Sequence, residues 1–260
     1  MSSSETNDRQ YHIQVAPGEV GRYVFLPGDP GRTEPIARLF DEPRLVAKNR
    51  EYETWSGYLD GELVSVTSTG IGCPSAAIAM EELVKVGADT FIRVGTSGSM
   101  QPDIKPGTLG IISGAIRDEG TSSHYLPIEF PAVADIDVTR ALTLGARAME
   151  RPFKVGISQS KDSFYGQHEP GRMPIAKRLA DRWDAWMAGG AICSEMEAAA
   201  LYIVAATLGV RAGGVMMILG HHDMSPMTPE EQAAGSLDNL LPSAVAGLRT
   251  LIEADRKAAA

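Results

Sequence analysis

The chain has 260 residues, of which 43% are hydrophobic, and a formal net charge of −9. A chain of this length and composition can bury the core of one large α/β domain. Its negative charge repels nucleic acid and acidic membrane surfaces, so we expect neither as a partner, and any anion site must be local.

The N-terminus and the cysteines bear on the compartment of the protein. The first ten residues are polar and contain no apolar run, which predicts a flexible N-terminus over 1–10 and a single domain over 11–260. No later stretch approaches the roughly 18 consecutive apolar residues of a membrane helix. Cys73 and Cys193 are the only cysteines, and neither belongs to a zinc-binding pattern. These features predict a cytoplasmic protein.

Short apolar runs alternate with amphipathic stretches along the chain, a pattern typical of strands that alternate with helices around a sheet. The apolar runs predict strands at 23–26, 63–68, 90–94, 109–112, 155–159 and 214–218. Helical spacing predicts helices at 74–86, 138–149, 174–186, 194–208 and 237–255. Segment 114–134 has no clear period, and because long loops in compact domains are often functional, it is a candidate wall of a site.

A glycine-rich turn, PGDPGR at 27–32, follows the first predicted strand and precedes a helical pattern that starts near Thr33. Such a turn can direct backbone N–H groups at one point, and Arg32 adds a positive charge there. An ordinary Pro-Gly turn is the alternative interpretation.

A second glycine loop, GTSGS, follows the predicted strand TFIRV. Gly98 permits close backbone approach, while Thr96 and Ser97 offer hydroxyl groups. Arg93 lies inside the otherwise apolar strand. An arginine there needs either a structural carboxylate or a polar cavity, and both interpretations stay open.

Two glycine loops with nearby arginines suit a phosphate dianion, since each charge-assisted hydrogen bond contributes about 1.5–3 kcal/mol. The sequence lacks GxxxxGK(S/T) and a clean GxGxxG, which argues against a nucleoside triphosphate or a dinucleotide. Arg50, in KNREYETW, is locally typical of a solvated edge strand. The sequence therefore predicts a small free phosphate as a ligand.

The stretch CSEMEAAALYIVAATLG at 193–209 predicts a helix that begins after Ser194. Ser194 and Glu197 have the spacing of a capping box, which is the structural explanation for Glu197. The alternative is that Glu197 accepts two hydroxyl groups of a sugar while Met196 packs against its apolar face. A carboxylate suits this role because it can accept from both hydroxyls of a vicinal diol.

These segments resemble the nucleoside phosphorylases of the uridine phosphorylase type, and the resemblance covers almost the whole chain. The matching segments are GDPGR at 28–32, NREYETW at 49–55, STGIGCPSAAIAMEEL at 68–83, RVGTSGS at 93–99, FPAVAD at 130–135, DSFYGQ at 162–167, SEMEAAAL at 194–201 and VRAG at 210–213. The resemblance implies one α/β domain with a central mixed, partly barrel-like β-sheet flanked by α-helices, assembled through dimers into a homohexamer. It also implies a pentosyltransferase that needs no cofactor and uses inorganic phosphate as co-substrate.

The resemblance also implies a role for individual residues. The phosphate would contact Gly28, Arg32, Arg93 and Thr96 of one subunit and Arg50 of a neighbour. The ribose would contact Met196, Glu197 and the neighbour's His12. The base would contact Thr96, Ser97, Gly98, Phe164 and Gln167. The residues expected to carry catalysis are Arg32, Arg93, Glu197 and Gln167. A monovalent cation such as potassium would bind near Glu51, Ile71 and Ser75.

Two positions depart from the family pattern. Related enzymes carry an arginine two residues after the base-binding glutamine, whereas the run here is GQHEPGRMP, with Arg172 five positions after Gln167. A second expected arginine is replaced by His222 in GHHDM. Arg172 and His222 are therefore additional candidates for base contacts.

Three alternatives to a uridine phosphorylase remain. A purine nucleoside phosphorylase would place an aspartate where this chain has His221, although Asp223 follows two residues later. A nucleosidase that uses water would not need three arginines around a phosphate. A nucleoside-binding protein that has lost activity would be expected to lack at least one of the predicted site residues. We therefore predict phosphate-dependent cleavage of uridine to uracil and ribose 1-phosphate, with the purine enzyme as the first alternative.

Overall fold

A mixed β-sheet lies at the centre of the computed structural model, which describes residues 8–259. The strands are β1 (Tyr23–Leu26), β2 (Asp41–Asn49), β3 (Tyr52–Leu59), β4 (Glu62–Thr67), β5 (Thr90–Ser99), β6 (Leu109–Asp118), β7 (Ala132–Val133), β8 (Phe153–Lys161), β9 (Cys193–Glu195) and β10 (Arg211–Gly220). Residues 1–7 of the predicted flexible N-terminus lie outside the described residues.

Helices cover both sides of this sheet. They are α1 (Thr33–Ala37), α2 (Cys73–Lys85), α3 (Ile136–Ala148), α4 (Phe164–His168), α5 (Ala176–Ala188), α6 (Ala198–Leu208), α7 (Pro229–Ala234) and α8 (Leu237–Ala259). Within the described part of the chain, no helix has both the length and the apolar character needed to cross a bilayer.

Five strands close into a ring. β5 pairs with β10 and β9, β10 with β6, β6 with β8, and β8 with β9. β1, β4, β3 and β2 continue from β5 as an open arm, with β2 at its edge. This arrangement confirms the predicted α/β domain with a mixed, partly barrel-like sheet.

Two apolar clusters pack on the sheet and explain why its central strands are nearly continuous hydrophobic runs. One cluster contains α2 and α6, and α6 is buried from Ala198 to Ala205 because it consists almost entirely of apolar residues. The other contains α3 and α8. These helices approach closely at Gly145, where an added Cβ would lie 2.4 Å from the Gly247 nitrogen. The absence of a side chain at Gly145 allows this approach.

The predicted capping box at Ser194 is wrong. Ser194 lies in β9, where it pairs with Gly98 of β5, and α6 begins four residues later at Ala198. The Glu195 carboxylate instead accepts the N–H groups of Glu197 and Ala198, each at 2.8 Å. Pairing of β9 on both sides, with β5 and β8, overrides the local helix-start signal.

Two segments predicted as loops also contain strand residues, the first along its whole length and the second only at its two ends. The GTSGS segment continues β5 to Ser99, since its backbone pairs with β9 and β10. Segment 114–134, predicted as a loop, contains the end of β6 and all of β7. Glycine and hydroxyl residues weaken the strand signal in both segments, while backbone pairing in the ring does not depend on the side chains.

Both cysteines are buried and free. Burial raises the pKa of the Cys73 thiol far above its usual range and that of Cys193 to about 12. Because the thiolate is the reactive species, neither thiol should react readily with a disulfide reagent at about pH 8 in the native protein. A thiol-titration time course should show slow reaction before denaturation and two thiols after it. Rapid reaction of either thiol in the native protein would contradict this placement.

Candidate active site

A buried ion pair joins β5 to the start of α6. Arg93 Nη2 lies 2.5 Å from Glu197 Oε2, and the two side chains are only 6% and 3% exposed. Arg93 Nη1 donates to the Leu26 carbonyl at 3.2 Å, and Glu197 Oε1 accepts the Gly72 N–H at 2.7 Å. Arg93 is thus held by a carboxylate, and that carboxylate is the one predicted to bind a sugar.

The first glycine loop brings a second guanidinium to this pair. Arg32 Nη2 donates to Thr96 Oγ1 at 3.5 Å, and a Cβ added to Gly28 would lie 3.4 Å from Arg93 Nη1. Burial lowers the pKa of Arg32, and the nearby Arg93 charge lowers it further. We call Gly28, Arg32, Arg93 and Thr96 the anion cluster. Its two guanidinium groups offer charged donors for an anionic ligand, although Arg93 is already paired with Glu197 and Arg32 Nε lies 3.9 Å from Asp29 Oδ2.

The loop is shaped by its own sequence. Asp29 caps a short 3₁₀ turn over Pro30–Arg32, and its Oδ1 accepts the Gly31 N–H at 2.8 Å. The position of Gly28 has little room for a side chain, because a Cβ would lie 3.1 Å from the Gly70 carbonyl oxygen. The glycine therefore lets the backbone approach the arginines closely.

His12 and Arg50 are held away from the anion cluster. His12 Nδ1 lies 2.6 Å from Glu82 Oε1, and the His12 N–H donates to Oε2 of the same carboxylate at 2.9 Å. Arg50 lies at the turn between β2 and β3, with its guanidinium 5.9 Å from the Tyr11 ring. Among residues 8–259, no hydrogen bond or ion pair joins either side chain to the anion cluster. Their contribution to a neighbouring subunit stays a prediction.

The residues predicted to lie near a cation are partly together. Ser75 Oγ donates to Glu51 Oε1 at 2.7 Å, and Ile71 is highly exposed nearby in the chain. Hydrogen bonds from its own backbone N–H and from Ser75 lower the pKa of the Glu51 carboxyl. In the described residues, no group of three or more His, Cys, Asp or Glu side chains could hold a metal ion. Cation binding here stays a prediction.

A cavity of about 600 Å³ opens at the carboxyl ends of β5, β8 and β10. Its wall contains Gly98, Gln167 and His222, which were all predicted to lie near the base. It also contains Lys161 and Trp183, which were not predicted. A cavity of this size and mixed lining is typical of a small-molecule site.

Phe164 and Arg172 do not line this cavity. The Phe164 ring is half exposed and stacks on His168 with ring centroids 4.0 Å apart. Arg172 Nε lies 2.8 Å from Glu169 Oε2 on the surface, where the Arg172 side chain is 59% exposed and the Glu169 side chain 50% exposed. The helical turn of α4 and the 3₁₀ turn that follows direct these side chains outward, so the geometry gives no support to a base contact by Arg172.

A polar network centred on Ser194 joins several side chains of the cavity wall. Ser194 Oγ is 2.5 Å from Gln159 Oε1 and 2.7 Å from Gln167 Oε1, and it accepts a hydrogen bond from Lys161 Nζ at 2.8 Å. Gln159 Nε2 donates to Asp118 Oδ2 at 2.7 Å. Sequence reasoning missed Gln159 and Lys161. The available signal was a lysine at the end of a strand, directly before the DSFYGQ segment.

Buried charges surround this network. Burial raises the pKa of the Glu195 carboxyl, and the nearby Glu197 carboxylate raises it further. Burial lowers the pKa of Lys161, whereas the two glutamates favour its charged form. The site therefore combines guanidinium donors at the anion cluster, a carboxylate acceptor at Glu197 and a mixed polar wall in the cavity. Arg32, Arg93, Thr96 and Glu197 do not line the cavity itself; β5 connects the two parts, since Arg93 and Thr96 precede the cavity-lining Gly98 in that strand.

Comparison with known proteins identifies the family of this chain. Residues 22–247 match the Phosphorylase superfamily. The chain is 47% identical over 250 residues to a uridine phosphorylase of Treponema pallidum, which covers 96% of this chain and 97% of that protein. It is 48% identical over 214 residues to a uridine phosphorylase of Thermococcus kodakarensis, covering 82% and 77% of the two chains. It is 39% identical over 213 residues to a guanosine phosphorylase of Halorubrum lacusprofundi, covering 82% and 84%. Because the family match spans most of the chain and these relatives align over most of their own length, the chain belongs to the phosphorylase superfamily.

Proposed function

We propose that this protein is a uridine phosphorylase, a pentosyltransferase that converts uridine and inorganic phosphate to uracil and ribose 1-phosphate. The observation that carries the proposal is the contact between the anion cluster and the buried Glu197 carboxylate, at strand ends that also border a cavity. Similarity to proteins named uridine phosphorylases supports uridine as the substrate.

In the proposed reaction, the anion cluster holds phosphate below C1′ of the ribose. The C1′–N1 bond breaks with its electron pair going to the base, and a phosphate oxygen forms the new bond to C1′. The positive charge that develops on the sugar is stabilised by the phosphate anion, and the base anion takes a proton from water. Phosphate is a co-substrate, and we propose no further cofactor for this step.

Glu197 can bind the ribose without leaving Arg93. A carboxylate has about four lone-pair positions, and the described contacts of Glu197 to Arg93 and Gly72 use two of them. The remaining two can accept the 2′- and 3′-hydroxyls of a ribose. Arg93 would then contact both the phosphate and the group that orients the sugar.

We further propose a cytoplasmic homohexamer built from dimers, in which His12 and Arg50 complete the site of a neighbour. Two observations support the roles of His12 and Arg50 in that proposal. Glu82 holds the His12 ring through Nδ1, which leaves Nε2 available to a ligand, and Arg50 forms no ion pair among residues 8–259. We also propose a monovalent cation such as potassium near Glu51, Ile71 and Ser75.

The purine alternative is less well supported. Asp223, the acid that the sequence offers for protonating a leaving purine, does not line the cavity, and its Oδ1 accepts the Ser225 N–H at 3.0 Å. Asp118, Asp162 and Asp184 do line the cavity, but they lie outside the 220–224 loop in which the purine enzymes would place this acid. His221 Nε2 lies 3.1 Å from Glu231 Oε2, which ties it to α7. The similarity to a guanosine phosphorylase keeps this alternative as the second candidate.

An ultraviolet assay of base release from uridine, thymidine, inosine and adenosine tests the proposal, with each nucleoside measured with and without phosphate. We expect phosphate-dependent release of uracil from uridine. Faster release from inosine would instead favour the purine enzyme. Release without phosphate would favour a nucleosidase and would leave the anion cluster without its proposed role.

A further inference from the structure

The Lys161 side chain is a buried cation at the cavity wall, at the last position of β8. The residue is only 5% exposed, and it lines the same cavity as Gln167. Its Nζ donates to Ser194 Oγ at 2.8 Å, and the Glu195 carbonyl oxygen lies 3.4 Å away. An ammonium group has three N–H donors, so at least one remains for a ligand in the cavity.

The hydrogen atoms around Ser194 can be counted. Gln159 Nε2 donates to Asp118, which directs Gln159 Oε1 towards Ser194, so the single hydroxyl proton of Ser194 is donated to Gln159. Lys161 donates to the same hydroxyl oxygen. Gln167 Oε1 lies 2.7 Å from Ser194 Oγ, but the hydroxyl has no second proton to donate to it. The Gln167 amide can therefore hydrogen-bond to Ser194 only if a half-turn of the amide exchanges the positions of Oε1 and Nε2, so that Nε2 donates to Ser194 Oγ. After the half-turn, Gln167 Oε1 no longer faces Ser194 and can accept a hydrogen bond from a ligand in the cavity that Gln167 lines.

We propose that Lys161 is a catalytic residue that donates a hydrogen bond to a carbonyl oxygen of the base, and that Lys161 and Gln167 together select bases with an N–H group beside a carbonyl. The proposal rests on the phosphorylase function proposed above. Uracil has this pattern at N3 and either adjacent carbonyl. Cytosine has an unprotonated N3, so an acceptor would face Gln167 Oε1 whichever carbonyl position Lys161 occupies. With Lys161 at the 4-position, the amino group of cytosine would also face the ammonium.

The same contact would assist the departure of the base. When the C1′–N1 bond breaks, its electron pair spreads over N1 and the carbonyl oxygens of the base. A Lys161 N–H held at one of these oxygens stabilises the negative charge without transferring its proton. Such a contact is strong because the site is shielded from water, and the burial that lowers the pKa of Lys161 makes its N–H a better donor.

The test compares Lys161→Met with the wild-type enzyme on uridine and 5-fluorouridine. We expect kcat/KM for uridine to fall about 10²- to 10³-fold, as for loss of one preorganised donor. The loss should be smaller for 5-fluorouridine, because its base anion is more stable and needs less stabilisation. Lys154→Met is the matched control, since Lys154 is on the same strand but half exposed, with Asp103 3.8 Å away. The control should keep wild-type rates.

The outcomes separate the inference from the proposed function. A wild-type enzyme that cleaves none of the nucleosides with phosphate would overturn the proposed function. An active wild-type enzyme with an unaffected Lys161→Met variant, or with equal losses on both substrates, would overturn the role of Lys161. If Lys161→Met does not unfold cooperatively, Lys161→Arg replaces it, because arginine retains a donor. Its loss of kcat/KM should be smaller than that expected for Lys161→Met and should again be larger for uridine than for 5-fluorouridine. Equal losses on the two substrates would overturn the role of Lys161. Cytidine cleaved as fast as uridine by the wild type would overturn the selection of the base.

Discussion

Replacing Arg93 by methionine is expected to lower kcat/KM for phosphorolysis by at least about 10²- to 10³-fold and to destabilise the fold by about 3–5 kcal/mol. The rate falls because a guanidinium of the anion cluster is lost. The stability falls because the Glu197 carboxylate, only 3% exposed, keeps a single described partner in the Gly72 N–H. Steady-state assays and urea unfolding would measure the two effects separately.

The stability loss in Arg93→Met should depend on pH, through Glu195. Burial raises the pKa of the Glu195 carboxyl above its ordinary value of 4.5, and Arg93 opposes this rise. A carboxyl with a raised folded-state pKa stabilises the fold at low pH, and this contribution is lost as the pH increases through the raised pKa. Without Arg93 the pKa rises further, so the difference in unfolding free energy between variant and wild type should be larger at about pH 8 than at about pH 5.

Arg22→Met provides the control for this experiment. Arg22 forms an ion pair with Asp89 at 2.9 Å, but both side chains are more than 40% exposed. Exposed pairs contribute at most about 1 kcal/mol, so this variant should retain its activity and nearly all its stability. An Arg93→Met protein as active and as stable as Arg22→Met would refute both the phosphate role and the buried-pair argument.

Gly145→Ala is the second substitution with a large expected effect, here on stability alone. In an exposed helix, this change stabilises by about 1 kcal/mol. In α3, however, the new Cβ would lie 2.4 Å from both the Gly247 nitrogen and the Ser243 carbonyl oxygen of α8. Because these are backbone atoms, α8 must move, and we expect a net loss of about 1–3 kcal/mol. Denaturant unfolding would measure it.

Gly171→Ala is the matched control for the glycine substitution. A Cβ at Gly171 would meet no atom within 4 Å, and the position does not require a positive φ. Its unfolding free energy should therefore change by no more than about 0.5 kcal/mol. A Gly145→Ala protein that is more stable than the wild type would show that helix propensity outweighs the packing of α3 on α8.

The sequence predicted the strands whose apolar residues pack on both faces and the positions of most long helices. For β2 and β3 it indicated only an edge strand around KNREYETW, and it did not predict β7 or β9. β2 is polar because it forms the exposed edge of the sheet. β3 is buried but contains hydroxyl residues that pair across to β4, with Thr54 Oγ1 3.0 Å from Thr67 Oγ1 and Ser56 Oγ 2.8 Å from Ser65 Oγ. These hydroxyl pairs satisfy the hydrogen bonds of buried polar groups. In the sequence alone, however, the same residues are only polar positions and give no sign that the segment is a buried strand.

The candidate site was predictable where the resemblance supplied residues, and less so where the chain departs from it. The structure brings together the anion cluster and Glu197, which local patterns alone could not connect because Arg32, Arg93 and Glu197 are far apart in the chain. Lys161 escaped prediction because a lysine at a strand end is usually solvated. Its burial depends on contacts with Ser194 on another strand, and only the folded ring reveals them.

The closed ring also bears on how this protein could acquire new substrates. β5, which carries both Arg93 and Thr96, pairs with β1 and β9 on one side and with β10 on the other, so sequence change there disturbs many backbone hydrogen bonds. Segments 163–170 and 221–227, which line the far side of the cavity, follow ring strands but belong to none. Mutations in these segments can alter the shape of the base pocket while phosphate binding and the scaffold persist. Evolution of base preference can therefore proceed through individually tolerated steps.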